Sequence, residues 1–222
     1  MRRTTTVALV FVSVAGLSLA FLSENALNAE QANAAHTHIG HVMDGWGDTP
    51  DGQGLLPAAI AEATIAAQHA AFAAKDPSNL DAMKLHAAHV LHAVDPEQIS
   101  NGPGLGYGVK KAAGGAAMHI EIAAKSDGAS GAVMTHAEHV ATSARNTVAR
   151  VEQIVMLAQK ISMASSASEA SSLVAELADL SDQLISGTDG NGDGRIGWQE
   201  GEGGLDVSNT HATLMKTAEG LQ

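Results

Sequence analysis

Histidine is where this sequence concentrates its chemistry. Three of its 11 histidines recur at an offset of 50 residues: His69 falls on His119, His86 on His136 and His89 on His139. Gly52, Gly54 and Leu55 fall on Gly102, Gly104 and Leu105 at the same offset. Alanine matches carry little weight in a chain this rich in alanine, but histidines in register do not follow from composition. The stretch from Gly52 to Ala144 therefore reads as one helical hairpin written twice. Neutral imidazole is the commonest protein ligand for transition metals. Two such hairpins packed face to face are expected to bring His69, His86, His89, His119, His136 and His139 to one shared centre. That centre would take Cu, Zn, Ni or Fe, or a b-type haem held between two imidazoles.

A second histidine group, His36, His38 and His41, stands with Met43 ahead of the repeat. If the chain is processed just before it, a free α-amine beside His36 adds to a soft-metal grip suited to copper. The alternative for all of these histidines is packing: a structural or pH-responsive bundle whose imidazoles are hydrogen-bonded inside an alanine-rich core. Burying so many polar rings without partners is costly, and a bound metal satisfies several at once. A carboxylate-bridged di-iron centre is disfavoured, because Glu62, Glu121 and Glu138 are out of register between the two copies. There is no Ser/His/Asp or Cys/His nucleophile set, no phosphate loop and no paired acid/base carboxylates, so the expectation is a binding protein rather than an enzyme.

Composition narrows the elements that must position these side chains. The chain has no cysteine, 3% aromatic residues, 45% hydrophobic residues and a formal charge of −12. Absence of cysteine excludes disulfides, iron–sulfur clusters and covalently attached haem. The acidic balance argues against nucleic acid and anionic membrane as partners and for cation binding or plain solubility, with solvated surface as the source of most of the charge. Abundant alanine with scattered leucine and valine predicts an all-α protein.

Residues 1–35 read as an export signal: Arg2 and Arg3, an apolar run from Val7 to Leu22 that is short for a membrane span, and Ala32-Asn33-Ala34 as a processing site. The mature protein is then periplasmic or secreted, with no membrane anchor after cleavage. Segment 36–51 reads as a polar, histidine-rich lead-in that ends in a loop. Helices are predicted from Leu55 to about Lys75, from Asp76-Pro77 through Val94, from Tyr107 to Lys125, and from near Ser130 to about Met163. Segment 52–165 is thus expected to be a four-helix bundle. Segment 166–222 adds a helix over Ser168 to Ser186 with Leu173, Leu177, Leu180 and Leu184 on one stripe, and a last helix from Val207 to about Gly220. On that last helix His211 stands alone and reads as a surface residue.

Between these two helices runs Asp189-Gly190-Asn191-Gly192-Asp193-Gly194-Arg195-Ile196-Gly197-Trp198-Gln199-Glu200. These twelve residues resemble the calcium-binding loop of the EF-hand. The resemblance implies Asp189, Asn191 and Asp193 as monodentate ligands, the Arg195 carbonyl, Gly197 acting through water, and Glu200 closing the shell with two oxygens. Gly194 permits the sharp turn and Ile196 sits where such loops place an apolar anchor. Gly201, Gly203 and Gly204 compromise the exiting helix and no second loop is present to pair with this one. The pattern therefore implies a structural or low-affinity Ca²⁺ site rather than a switch.

Overall fold

The computed structural model describes residues 34–222, and among them the chain is all-helical. The segment read as an export signal, residues 1–35, lies outside the described residues, except that 34 and 35 already belong to a helix over 34–43, here α1. Six helices follow: α2 (Leu55–Ala74), α3 (Leu80–Val94), α4 (Val109–Lys125), α5 (Gly131–Met163), α6 (Ala167–Ser186) and α7 (Leu205–Ala218). None is long and apolar enough to cross a membrane.

Three helix starts are set by short polar side chains, while α2, α4 and α7 begin after Gly54, Gly108 and Gly204. Asn79 accepts from the Ala82 amide at the head of α3, Ser130 from Val133 at α5, and Ser166 from Glu169 at α6. Asp76-Pro77 therefore precedes α3 instead of opening it. Asp76 holds a turn through Ser78, and the cap passes to Asn79.

Packing is close because the inward positions are small. Ala59, Ala63, Ala66, Ala70 and Ala73 of α2 are all fully buried, as are Ala112, Ala113 and Ala116 of α4. α2 packs on α3, α4 and α6, while α5 packs on α3, α4, α6 and α7. The expected polar lead-in is corrected here. Ile39 and Val42 of α1 are 0% exposed, and the helix is fastened to the C-terminal region by His36 to Glu219 (3.0 Å) and Lys216 to Asp44 (2.5 Å). Gly54 permits this, since a Cβ there would lie 2.4 Å from the backbone of Met43 at the end of α1.

The connection from α3 to α4 is organised by one buried carboxylate. Glu62, 0% exposed on α2, accepts from the backbone amides of Tyr107 (2.8 Å), Gly108 (2.9 Å) and Leu105 (3.1 Å). Charge-assisted bonds of this kind offset the desolvation of a buried anion. Gly104 has φ 118° and a Cβ there would lie 2.3 Å from Glu62 Oε2, so both the turn and the approach require glycine. Because this loop sets where α4 begins, it also aims His119. Glu62→Ala strands up to three amide donors at about 1–3 kcal/mol each. Chemical unfolding is expected to show a loss of about 3 kcal/mol or more, and a loss well under that would mean the carboxylate does not hold the loop.

Candidate metal centre

The shared centre expected from the repeat does not form. The six repeat histidines are divided among three separate trios: His38, His41 and His119; His69, His86 and His89; His136, His139 and His211. Within each trio one nitrogen from each ring lies within 4.8 Å of the others. His119 does not join His136 and His139. It turns to the two histidines of α1, and α7 supplies His211 in its place. The lone surface reading of His211 is thereby overturned, because α7 packs on α5 and lays His211 against both α5 imidazoles.

The trios share one construction. A His-x-x-His pair lies on one helix, where positions three apart face the same way. A single histidine reaches in from another helix, and every close contact is between Nδ1 atoms. In the α1–α4 trio, His119 Nδ1 is 2.9 Å from His38 and 3.4 Å from His41. In the α2–α3 trio, His69 Nδ1 is 3.0 Å from His86 and 3.2 Å from His89. In the α5–α7 trio, His211 Nδ1 is 3.0 Å from His136 and 3.2 Å from His139.

The ring planes repeat as well. The central ring is tilted from the first ring of the pair by 34°, 35° and 37° in the three trios. It meets the second ring nearly edge-on, at 84°, 85° and 73°. A metal bonded to nitrogen at about 2.0–2.1 Å with tetrahedral angles places its ligand atoms about 3.3 Å apart. The observed spacings are close to that edge length.

Two histidines stand outside the trios. His36 bonds Glu219 through Nε2, so the N-terminal group His36, His38 and His41 does not act as one unit. His92, buried on α3, bonds the Ile99 carbonyl at 2.9 Å and is a packing residue.

An aromatic ring lies against each trio. Trp46 is 4.7 Å from His41 and 4.6 Å from His119 between ring centroids. Phe72 is 5.5 Å from His69 and 5.3 Å from His86. Trp198 stacks on His139 at 4.3 Å and 21°. Trp46 is carried by the loop after α1, which Thr49 closes by donating to the carbonyls of Trp46 and Gln53.

The loop 189–200 is folded around its own side chains. Asp189 accepts from the amides of Gly192, Asp193 and Gly194, Asn191 from Asp193, and Asp193 from Arg195. Gly194 has φ 84°, as the turn requires. Ile196 is 42% exposed and anchors no second loop. Asp189, Asp193 and Glu200 are not gathered into a group as the histidines are.

The loop's exit is clamped to α5. Arg150, buried, donates to the carbonyls of Gly201, Glu202 and Gly203, while Asn146 donates to the Gln199 carbonyl and accepts from the Gly201 amide. Buried Glu202 accepts from the Gly197 amide. The glycines that spoil an exiting helix thus serve a close approach: a Cβ on Gly203 would meet Ser143 Oγ at 2.4 Å. No known protein family, characterised protein or solved structure matches this chain.

Two imidazoles in every trio are held below the usual histidine pKa: His38 and His119, His69 and His89, His139 and His211. Burial is the leading cause in each case, followed by the neighbouring histidines. Their neutral, ligating form is favoured. Because these values are lower than those of unfolded histidine, near 6.5, the unfolded chain binds more protons in the window between them. Stability is therefore fully present above about pH 6.5 and is lost as pH falls through the lower folded values. Thermal melts of metal-free protein from about pH 8 to about pH 5 are expected to show this decline. Replacing His69, His119 and His211 by Gln is expected to flatten it. An unchanged slope would assign the acid sensitivity to other groups.

Proposed function

We propose that the protein is an exported metal-binding protein that carries up to three transition-metal ions, one in each histidine trio. The observation that supports this most directly is the threefold recurrence of three Nδ1 atoms spaced for a single ion. Three neutral nitrogens leave a coordination position open, so an ion held this way remains exchangeable. Copper, zinc, nickel and iron all accept imidazole. Haem is the weaker reading, since nitrogens 2.9–3.4 Å apart leave no room for a macrocycle between them. Three like sites in one chain favour capacity, as in storage or carriage, over a single catalytic centre. The duplicated hairpin belongs to the same reading: α2–α3 and α4–α5 are taken as copies, each contributing a His-x-x-His pair from its second helix.

Elemental analysis of the loaded protein is expected to give three equivalents. His69→Ala, His119→Ala and His211→Ala are each expected to remove one equivalent and leave the other two. A loss of all metal from any single substitution would mean the trios are not independent.

The loop 189–200 supports a second, calcium-binding function. Its donors are all oxygen, as a hard cation requires, and Asp189, Asn191 and Asp193 already hold the turn in shape. Asp189, Asn191, Asp193, the Arg195 carbonyl and Glu200 would hold the ion. The loop's tenth residue, Trp198, stacks on His139, and α7 with His211 begins five residues after the loop ends. Calcium is accordingly expected to raise thermal stability and to tighten transition-metal binding at the α5–α7 trio alone. Glu200→Gln is expected to abolish both effects while the other two trios keep their affinity, as isothermal titration on single-trio variants would show. Calcium without effect on the melting temperature would sink this second function.

A further inference from the structure

Four aromatic residues occur in the described part of the chain: Trp46, Phe72, Tyr107 and Trp198. Three of them, including both tryptophans, lie against the histidine trios. Aromatic rings make up 3% of this sequence; Tyr107 is a core residue and Trp46 packs against the core, while Phe72 is 41% exposed. Each trio has one such ring, although the rings come from a loop, a helix and the loop 189–200 respectively and touch different members of their trios.

The ring at each site covers the side of the trio on which it touches an imidazole, Phe72 while itself exposed. No carboxylate belongs to any trio. An ion held there receives three neutral nitrogens and no compensating negative charge. A divalent ion under those conditions keeps its full charge and calls for a fourth ligand or more, which it usually takes from water. A monovalent closed-shell ion makes a smaller demand for a fourth ligand, and a cation near an aromatic ring gains further from it.

Resting on the three-site reading above, we propose that these sites are built for monovalent copper, with Trp46, Phe72 and Trp198 as the fourth wall. The rings are positioning residues for the ion's surroundings, while the bonds to it come from the Nδ1 atoms.

The test uses the full chain under oxygen-free conditions, titrated with Cu(I) buffered by bicinchoninate and, separately, with Zn(II) and Ni(II) buffered by nitrilotriacetate. The expected result is three equivalents of Cu(I), bound more tightly than either divalent ion. Filling the two tryptophan-walled sites quenches indole emission, and filling the Phe72 site does not. Trp46→Leu combined with Trp198→Leu retains all nine imidazoles. It is expected to weaken Cu(I) at those two sites about tenfold or more and to leave Zn(II) nearly unchanged. Phe72→Trp is expected to add the missing emission signal at the third site.

Equal weakening of Cu(I) and Zn(II) in the leucine variant would reduce the rings to packing and overturn the proposal. Three equivalents of Zn(II) or Ni(II) held in preference to Cu(I) in the unaltered chain would overturn it too, while leaving the three-site reading in place.

Discussion

Three imidazole nitrogens about 3 Å apart make a poor hydrogen-bonded group. Each central Nδ1 faces two others, yet a ring nitrogen either carries one proton to donate or presents one lone pair to accept. Whichever tautomers are chosen, the two contacts either set like groups against each other, lone pair on lone pair or N–H on N–H, or share a single proton or a single lone pair between two partners. Protonating a second ring would place charges side by side. A cation that accepts all the lone pairs removes the conflict. A partly satisfied polar network of this kind is otherwise a cost to the fold.

That constraint explains how the helices are fastened. Each trio spans two helices, so their relative position must hold to a few tenths of an ångström for the nitrogens to converge. α1 is fixed by Ile39 and Val42 in the core and by the His36–Glu219 and Lys216–Asp44 contacts. α4 is fixed by Glu62 gripping the loop before it. α7 is fixed through the loop exit that Arg150 and Asn146 hold against α5. Arg150 is buried against carbonyl dipoles, and burial lowers its pKa. A cation in that position is tolerated because it closes three backbone acceptors at the point where the chain turns into α7.

Much of this was legible in the sequence. Helix spans, the Ser130 start of α5 and the leucine stripe of α6 follow from periodicity and capping residues. The pairs His86/His89 and His136/His139 follow from their spacing. The identity of the third histidine in each trio was not legible. Register with the first copy points His119 at His136 and His139, but the partner of a helix face is decided by long-range packing. α1 offers only Ile39 and Val42 as a pattern, too short to distinguish a buried helix from a polar lead-in. His38-x-x-His41 carried the same spacing as the other pairs and was the signal that could have placed it. Five single histidines, His36, His69, His92, His119 and His211, then remain for three pairs, and spacing alone does not say which three join them.

Sequence separation divides the trios into two kinds. The α2–α3 trio closes over 17 and 20 residues. The other two close over 78 and 81 residues, and over 72 and 75, and they enlist the helices nearest the two ends of the described chain. Closing a longer loop costs more entropy, though only slowly with length, so the larger difference lies in what must fold first. Neighbouring helices suffice for the α2–α3 trio. An ion bound in either of the others would tie a terminal helix to the middle of the fold, and its binding energy would also stabilise the docking of that helix. On the reading of a duplicated hairpin, the second copy has parted its three histidines between α1 and α7. One histidine group thereby becomes two, and the added members come from elements outside the repeat.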